Sequence, residues 1–213
     1  MTASNTGACA APETLCTRRV VPYAAPMEDH GRPDDRALML RYQDGDVAAF
    51  EVLYRRHNDA LYRYLLRLCR DPGTAEDVFQ DAWSNIIRAR SSYRPTAQFN
   101  TYLYRVAHNC FIDNLRKNRR HDAADEFNPE LHAHQGELPD VSAERSLARE
   151  RLAVALEALP DEQRDAFLLR EEAGLNVDEI ASVTGCNRET AKSRLRYAVG
   201  KLRAAIDEPS ERS

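Results

Sequence analysis

Glycine and proline are scarce in this chain, eight and ten among 213 residues, and there is one tryptophan. Helix formers fill the remaining positions and strand-type alternation is nearly absent, so an all-α protein is favoured over a mixed sheet fold. No apolar run approaches the length needed to cross a bilayer, and no hydrophobic stretch of signal-peptide type stands near the N-terminus. Arg18-Arg19 alone is too weak for an export signal. A cytoplasmic protein without membrane insertion is expected. The five cysteines, Cys9, Cys16, Cys69, Cys110 and Cys186, are odd in number and lack metal-ligand spacing. Cys69 and Cys110 fall on apolar helix positions and read as small buried hydrophobes in a reducing compartment. His132 and His134 have no CxxC partner, so no metal site is assigned. No nucleophile–base pair and no phosphate-cradling glycine loop occurs, so neither an enzyme nor a cofactor is expected.

Charge is present but segregated. The net value of −4 argues at face value against a polyanionic partner. Yet residues 55–120 hold thirteen Arg or Lys against six Asp or Glu, 121–165 hold four against twelve, and 186–203 hold six against one. Two basic modules thus flank an acidic one. The acidic stretch reads equally well as a shield for those modules or as a solubilising linker.

The length suffices for two small domains. Residues 1–33 are rich in Ala, Pro and Thr without periodicity and read as a disordered extension, most of which initiation at Met27 would remove. Asp46 opens a long amphipathic helix with Phe50, Leu53, Tyr54, Leu61, Leu65 and Leu68 on one side, broken at Asp71-Pro72-Gly73. Thr74 is read as the cap of the next helix, with Val78, Ala82 and Ile86 inward and an end by Ser91. A third helix runs from about Asn100 to Arg120 with Leu103, Val106, Cys110 and Leu115 inside. Residues 34–120 form the first domain, 121–143 a flexible acidic linker, 144–206 a second domain and 207–213 a disordered tail. The second domain opens on Leu147, Leu152, Leu156 and Leu159, closes that helix at Pro160, and continues with a helix over 163–172.

The stretch 176–202 reads as two short helices joined by a turn, the second loaded with cations. Asn176 with Glu179 forms a capping box, and Gly185 stands where the first helix must exit through a left-handed conformation. Asn187 caps the second helix, in which Ala191, Leu195, Ala198 and Leu202 recur at the helical period. The projection places Glu189, Lys192, Ser193, Arg196, Tyr197 and Gly200 on the opposite side, where the groove of a duplex would lie. Lys192 and Arg196 reach guanine edges or phosphates, and Tyr197 packs on sugar or a thymine methyl. An ordinary hairpin with a solvated charged face is the plainer reading; the turn chemistry, small Ala181 at the crossing and the cationic face together favour DNA.

Three segments in this order resemble the sigma-70 family, and the two-domain layout resembles its extracytoplasmic-function (ECF) branch, which lacks the domain usually found between them. Asp77-Val78-Phe79-Gln80-Asp81-Ala82-Trp83 resembles the part that grips core RNA polymerase. Phe99-Asn100-Thr101-Tyr102-Leu103-Tyr104-Arg105-Val106-Ala107-His108-Asn109, through Asp113 and Arg116, resembles the part that melts and reads the minus-ten element. Leu156-Glu157-Ala158-Leu159-Pro160, Arg164 to Arg170 and the helical pair resemble the part that reads the minus-thirty-five element. The resemblance spans about 46–120 and 147–204.

It implies a sigma factor that performs no bond chemistry, with core RNA polymerase, promoter DNA and an anti-sigma protein as partners. Asp77, Gln80, Asp81 and Trp83 are then polymerase contacts, two carboxylates beside an aromatic anchor suiting a basic helix. By themselves they read equally as a solvated helix face. Arg94, Phe99, Asn100, Tyr102, Arg105, His108, Asn109, Asp113, Arg116, Lys117, Arg119 and Arg120 fall to the minus-ten element. Aromatics receive unstacked bases, cations hold the strand, and Asn109 offers both donor and acceptor to a flipped base. Tyr93 and Tyr104 lie in the same stretch; Phe99 and at least one of Tyr102 and Tyr104 read as core. Arg188, Glu189, Thr190, Lys192, Ser193, Arg194, Arg196, Tyr197 and Lys201 fall to the minus-thirty-five element. Rival readings are a helix-turn-helix regulator acting without polymerase and a helical protein-interaction bundle.

Overall fold

Asp34 precedes a nine-residue helix that the sequence pattern did not disclose, α1 (Asp35–Gln43), with Leu38, Met39 and Tyr42 buried. In the computed structural model, which describes residues 34–122 and 151–207 without the side chains of 119–122 and 207, α1 is tied down by charge as well. Asp35 lies 2.6 Å from Arg56 Nη1 and 2.7 Å from His57 Nε2. Burial pushes the Asp35 carboxyl up, but hydrogen bonds from His57 and Arg56 and their charges outweigh it, and the net shift is downward. A carboxylate depressed in the folded state stabilises above its unfolded value and ceases to as pH falls through its folded one. Asp35→Asn is therefore expected to flatten the acid limb of a thermal-melting curve against pH, with little effect at the lowest pH.

Asp46 caps α2 (Val47–Cys69) through Ala49 N at 3.3 Å, as expected. The break at 71–73 is a helix start. Asp71 Oδ2 accepts from Thr74 N at 2.7 Å and Pro72 occupies the first turn, so α3 (Pro72–Arg88) begins two residues before Thr74, which is inside the helix rather than its cap. Arg70 joins α2 to α3 in a left-handed conformation, φ 61°. A short 3-10 turn (Arg90–Ser92) and a loop lead into α4 (Phe99–Asp122).

The second group comprises α5 (helical over 151–157), α6 (Asp161–Glu171), α7 (Val177–Thr184) and α8 (Arg188–Asp207). The capping box at the head of α7 is present in both directions, and Gly185 leaves it at φ 66°. Loss of a cap side chain costs about 1 kcal/mol, so Asn176→Ala is expected to lower the midpoint of thermal unfolding by a few degrees. The described residues are all helix, turn and loop, in two helical domains. The expected disordered ends at 1–33 and 207–213, the linker at 121–143 and the opening of the second domain at 144–150 lie essentially outside them, except that α4 runs on to Asp122.

In the first domain Leu53, Leu61, Leu65 and Leu68 of α2 pack on Val78, Ala82 and Ile86 of α3 and on Leu103 and Ala107 of α4. Leu168, Leu169, Ile180, Val183 and Ala191 of the second belong to the same buried cluster, because α6 and α7 pack on α2 and α4. Leu159, Ala198 and Leu202 form a smaller cluster with Leu152 and Phe167. That second contact changes α4. The expected inner stripe keeps Leu103, but Val106, Cys110 and Leu115 are only half-buried, whereas Thr101, Tyr104, Ala107, His108 and Phe111 are buried. A helix covered from two sides does not carry a single apolar stripe.

Cys69, Cys110 and Cys186 are free and half-buried. Burial, helped by the charge of Asp71, pushes the Cys69 thiol up to about 12, and burial raises Cys110 as well. Since the thiolate is the reactive form, both are expected to react with iodoacetamide at neutral pH far more slowly in the folded chain than after denaturation. Cys9 and Cys16 lie outside the described residues.

Candidate nucleic-acid interface

The helical pair turns the cationic face of its second helix outward. Asn187 Oδ1 accepts from Thr190 N at 2.7 Å, and Ala191, Ala198 and Leu202 turn inward with Leu195 half-buried. Glu189, Lys192, Arg196, Tyr197 and Lys201 are exposed on α8, and Ser193 and Thr190 are half-buried beside them. The Arg196 guanidinium stands 5.0 Å from the Tyr197 ring centroid, a cation–π contact that braces both groups at the surface. Arg188 pairs with Asp178 of α7 at 2.8 Å. Arg194 departs from the expectation of a DNA-facing cation: it is mostly covered and pairs with Glu162 of α6 at 2.8 Å, a position in the helix that points back into its own domain.

On α4 and the loop before it, Arg94, Asn109, Asp113, Arg116 and Lys117 are exposed, with Asp113 and Arg116 3.2 Å apart. The side chains of Arg119 and Arg120 lie outside the described set. Of the four aromatics, Tyr93, Phe99 and Tyr104 are buried, and only Tyr102 keeps part of its ring accessible, between Tyr93 at 5.2 Å and Phe99 at 6.3 Å. Phe99 is thus a core residue rather than a stacking platform. Tyr104 packs edge-on against Tyr64 at 5.2 Å.

The remaining minus-ten candidates are occupied from within the chain. Asn100 Nδ2 donates to the Ala173 carbonyl at 2.5 Å, Thr101 Oγ1 to Glu179 at 2.9 Å, and Arg105 to the Ser182 hydroxyl. His108 is buried with Nδ1 3.1 Å from Asp165 Oδ2, and Asp165 also accepts from Tyr64 Oη at 2.8 Å. Burial first, then the charge of Asp165, raises the Tyr64 phenol well above its usual value, so it stays a donor. Glu172 bridges Arg63 at 3.0 Å and Arg67 at 2.5 Å. Tyr64, Arg63, Arg67, Asp165 and Glu172 were missed by sequence reasoning, because their partners lie about a hundred positions away and no local pattern signals them.

Asp77, Gln80 and Asp81 are exposed on α3. Asp81 opens onto a groove of about 520 Å³ between α3 and α4, shared with Asn85, Arg88, Asp113, Arg116 and Lys117. Trp83 corrects the expectation of an aromatic anchor: it is 5% exposed and packs against Tyr54 at 4.9 Å, Phe50 at 5.7 Å and Phe79 at 6.4 Å. It holds α3 on α2 and so sets where Asp77, Gln80 and Asp81 point. Among the described residues no helix is long and apolar enough to cross a membrane, and no cluster of three His, Cys, Asp or Glu is placed to hold a metal. His132 and His134 lie outside those residues.

The family model for sigma-70 region 2 matches residues 53–121, and that for sigma-70 region 4 matches residues 149–202. The chain is 32% identical over 181 residues to the RNA polymerase sigma-H factor of Pseudomonas aeruginosa, and 33% identical over 181 residues to the ECF RNA polymerase sigma-E factor of Escherichia coli; each alignment covers 81% of this chain and 92% of the relative. The chain belongs to the sigma-70 family. Within it the protein is an ECF RNA polymerase sigma factor, a transcription initiation subunit. In fold it is similar to the sigma factor RpoE of Bartonella quintana, solved in complex with the anti-sigma factor NepR, with a TM-score of 0.63, 22% identity, and coverage of 76% of this chain and 98% of that one. The region 2 match takes in most of α2, all of α3 and nearly all of α4, and the region 4 match takes in α5 to α7 and most of α8. The sigma factor therefore carries its two family regions in order, each with one long helix bearing an exposed polar row, α4 and α8.

Proposed function

We propose a division of labour for this sigma factor in which residues 34–120 dock on core RNA polymerase and melt the minus-ten element while 144–206 read the minus-thirty-five element. The observation that carries it is the pairing of α8, whose Lys192, Arg196 and Tyr197 face solvent, with α4, whose Asn109, Asp113, Arg116 and Lys117 do the same. Asp77, Gln80 and Asp81 meet a basic helix of the polymerase. Asn109 meets a flipped base of the melted strand, with Tyr102 stacking beside it and Arg94, Arg105 and Arg116 on its phosphates. The factor performs no bond chemistry and needs no cofactor. It works in the cytoplasm, and an anti-sigma protein restrains it by covering the polymerase and DNA faces.

Run-off transcription with purified core polymerase on genomic templates tests this. Promoter-specific transcripts that require both proteins are expected, with weak, salt-sensitive DNA binding by the factor alone. Tight binding of the isolated chain to a palindromic duplex, with no effect on initiation, would overturn it in favour of a free-standing regulator. Within the reading, Arg196→Ala is expected to cost about 1–3 kcal/mol of minus-thirty-five discrimination if the guanidinium reads a base. A loss that is uniform across sequences, with a salt slope reduced by about 0.9, would mark a phosphate contact instead.

A further inference from the structure

One row of α4, beside the exposed Asn109, Asp113 and Arg116, is already covered by region 4. Asn100, Thr101, Arg105 and His108 on α4 each meet a group of the second domain, respectively the Ala173 carbonyl, Glu179, Ser182 and Asp165. On the adjoining face of α2, Arg63 and Arg67 share the carboxylate of Glu172. The two guanidiniums are one helical turn apart and half-exposed, whereas Glu172 retains 9% of its side-chain surface. Arg70, one residue past the end of α2, donates to the carbonyls of Glu157 and Leu159. The buried guanidinium of Arg164 reaches the Leu68 carbonyl from the other side at 3.3 Å.

The chemistry of this contact is that of a nucleic-acid site. The Glu172 carboxylate at hydrogen-bond distance from Arg63 and Arg67 is an anion of the kind a phosphate would be there, since both suit the planar fork of a guanidinium. The covering domain supplies Asp165, Glu172 and Glu179, while the covered domain supplies Arg63, Arg67, Arg105 and His108. By contrast, α8 keeps its cationic face away from the contact: its main partners are α6 and α7. The minus-thirty-five reader is open, while the minus-ten reader is closed along the row of Asn100, Thr101, Arg105 and His108.

We propose that the α6–α7 face acts as an internal competitor of single-stranded DNA, and that Arg63 and Arg67 are further phosphate contacts of the melted strand, held by Glu172 until region 4 lifts. The proposal rests on the assignment of α4 to strand melting and extends the DNA site from α4 onto α2. In the closed state a single strand has to displace the Glu172 carboxylate from Arg63 and Arg67 and the Ser182 hydroxyl from Arg105 before it reaches the arginines. The apparent affinity is then reduced by the fraction of molecules that are open.

The test uses the full chain and a fluorescein-labelled single-stranded oligodeoxynucleotide of mixed sequence, followed by anisotropy across a salt series. Glu172→Gln keeps the shape of the side chain and removes the charge; it is expected to tighten binding by about tenfold, within the range of ordinary coupling between sites. Glu171→Gln, an equal charge change at an exposed neighbouring position, is expected to leave binding unchanged. Ser182→Leu is a neutral change at an exposed position of α7 that removes the Arg105 acceptor, and it should tighten binding several-fold. In the Glu172→Gln background, Arg63→Ala and Arg67→Ala should each weaken binding and lower the salt slope by about 0.7, a signature that a packing role would not give.

Failure of both Glu172→Gln and Ser182→Leu to tighten binding, an equal gain from Glu171→Gln, or an unchanged salt slope in the arginine variants overturns the proposal. Initiation by the unmodified chain with core polymerase is scored in parallel. Its absence overturns the functional reading, whereas its presence beside unchanged oligonucleotide binding overturns only the closed state.

Discussion

Alanine at position 109 is expected to cut promoter-specific transcript yield by roughly 5- to 150-fold, the equivalent of the 1–3 kcal/mol that a two-point amide-to-base contact contributes, while leaving the affinity for core polymerase unchanged. Asn109 sits on α4 with its side chain exposed, outside the row that α6 and α7 cover. It packs into no core, and alanine is the better helix former by a few tenths of a kcal/mol. A loss of activity therefore cannot be charged to unfolding, and a thermal melt at least as high as the parent's provides the control. The amide is chosen over its neighbours because it donates and accepts at once, which a base lifted out of its stack requires. Gln in place of Asn109 keeps both functions one methylene further out and should recover part of the yield. Equal yields from parent and alanine variant in run-off assays would remove Asn109 from the site.

The helix-turn-helix was legible in the sequence because its signals are local. Asn176 with Glu179, Gly185 and Asn187 act on backbone within three residues of themselves, so type and spacing suffice. The same holds for Asp46 and for the inner face of α3. The first helix went unread for a related reason: with nine residues it shows barely two turns of period, and its anchor, Asp35 to Arg56 and His57, is not local. Asp71 was read as a break because proline and glycine follow it, although an acidic cap before a first-turn proline is also a start signal. Projection predicts exposure well on α8, where Lys192, Arg196 and Tyr197 all face solvent. Projection fails for Arg194 and Trp83, whose neighbours Glu162, Phe50 and Tyr54 belong to other helices. It fails most for α4, where a helix enclosed from two sides carries His108 and Thr101 inward beside its apolar residues.

Charge reversal at Asp81 separates the other half of the proposed mechanism. Asp81→Arg is expected to weaken binding to core polymerase by about thirty-fold or more, the counterpart of the 2 kcal/mol or more lost when one member of a desolvated interfacial charge pair is removed. The side chain is exposed on α3, and arginine is more favourable than aspartate inside a helix, so the fold of region 2 should persist. The groove it borders already contains Arg88, Arg116 and Lys117 against Asp81 and Asp113. Reversal leaves Asp113 as the only carboxylate of that lining facing four cations, turning a nearly balanced rim into a strongly positive one that repels a basic partner. Direct DNA binding should then be unchanged or slightly stronger while transcription falls in step with polymerase occupancy, and raising the core concentration should restore it. Asn109→Ala predicts the reverse pattern, full occupancy with poor opening that no excess of core repairs. Paired titrations of the two variants against core enzyme distinguish these behaviours; identical curves would mean that α3 and α4 do not divide polymerase docking from strand melting.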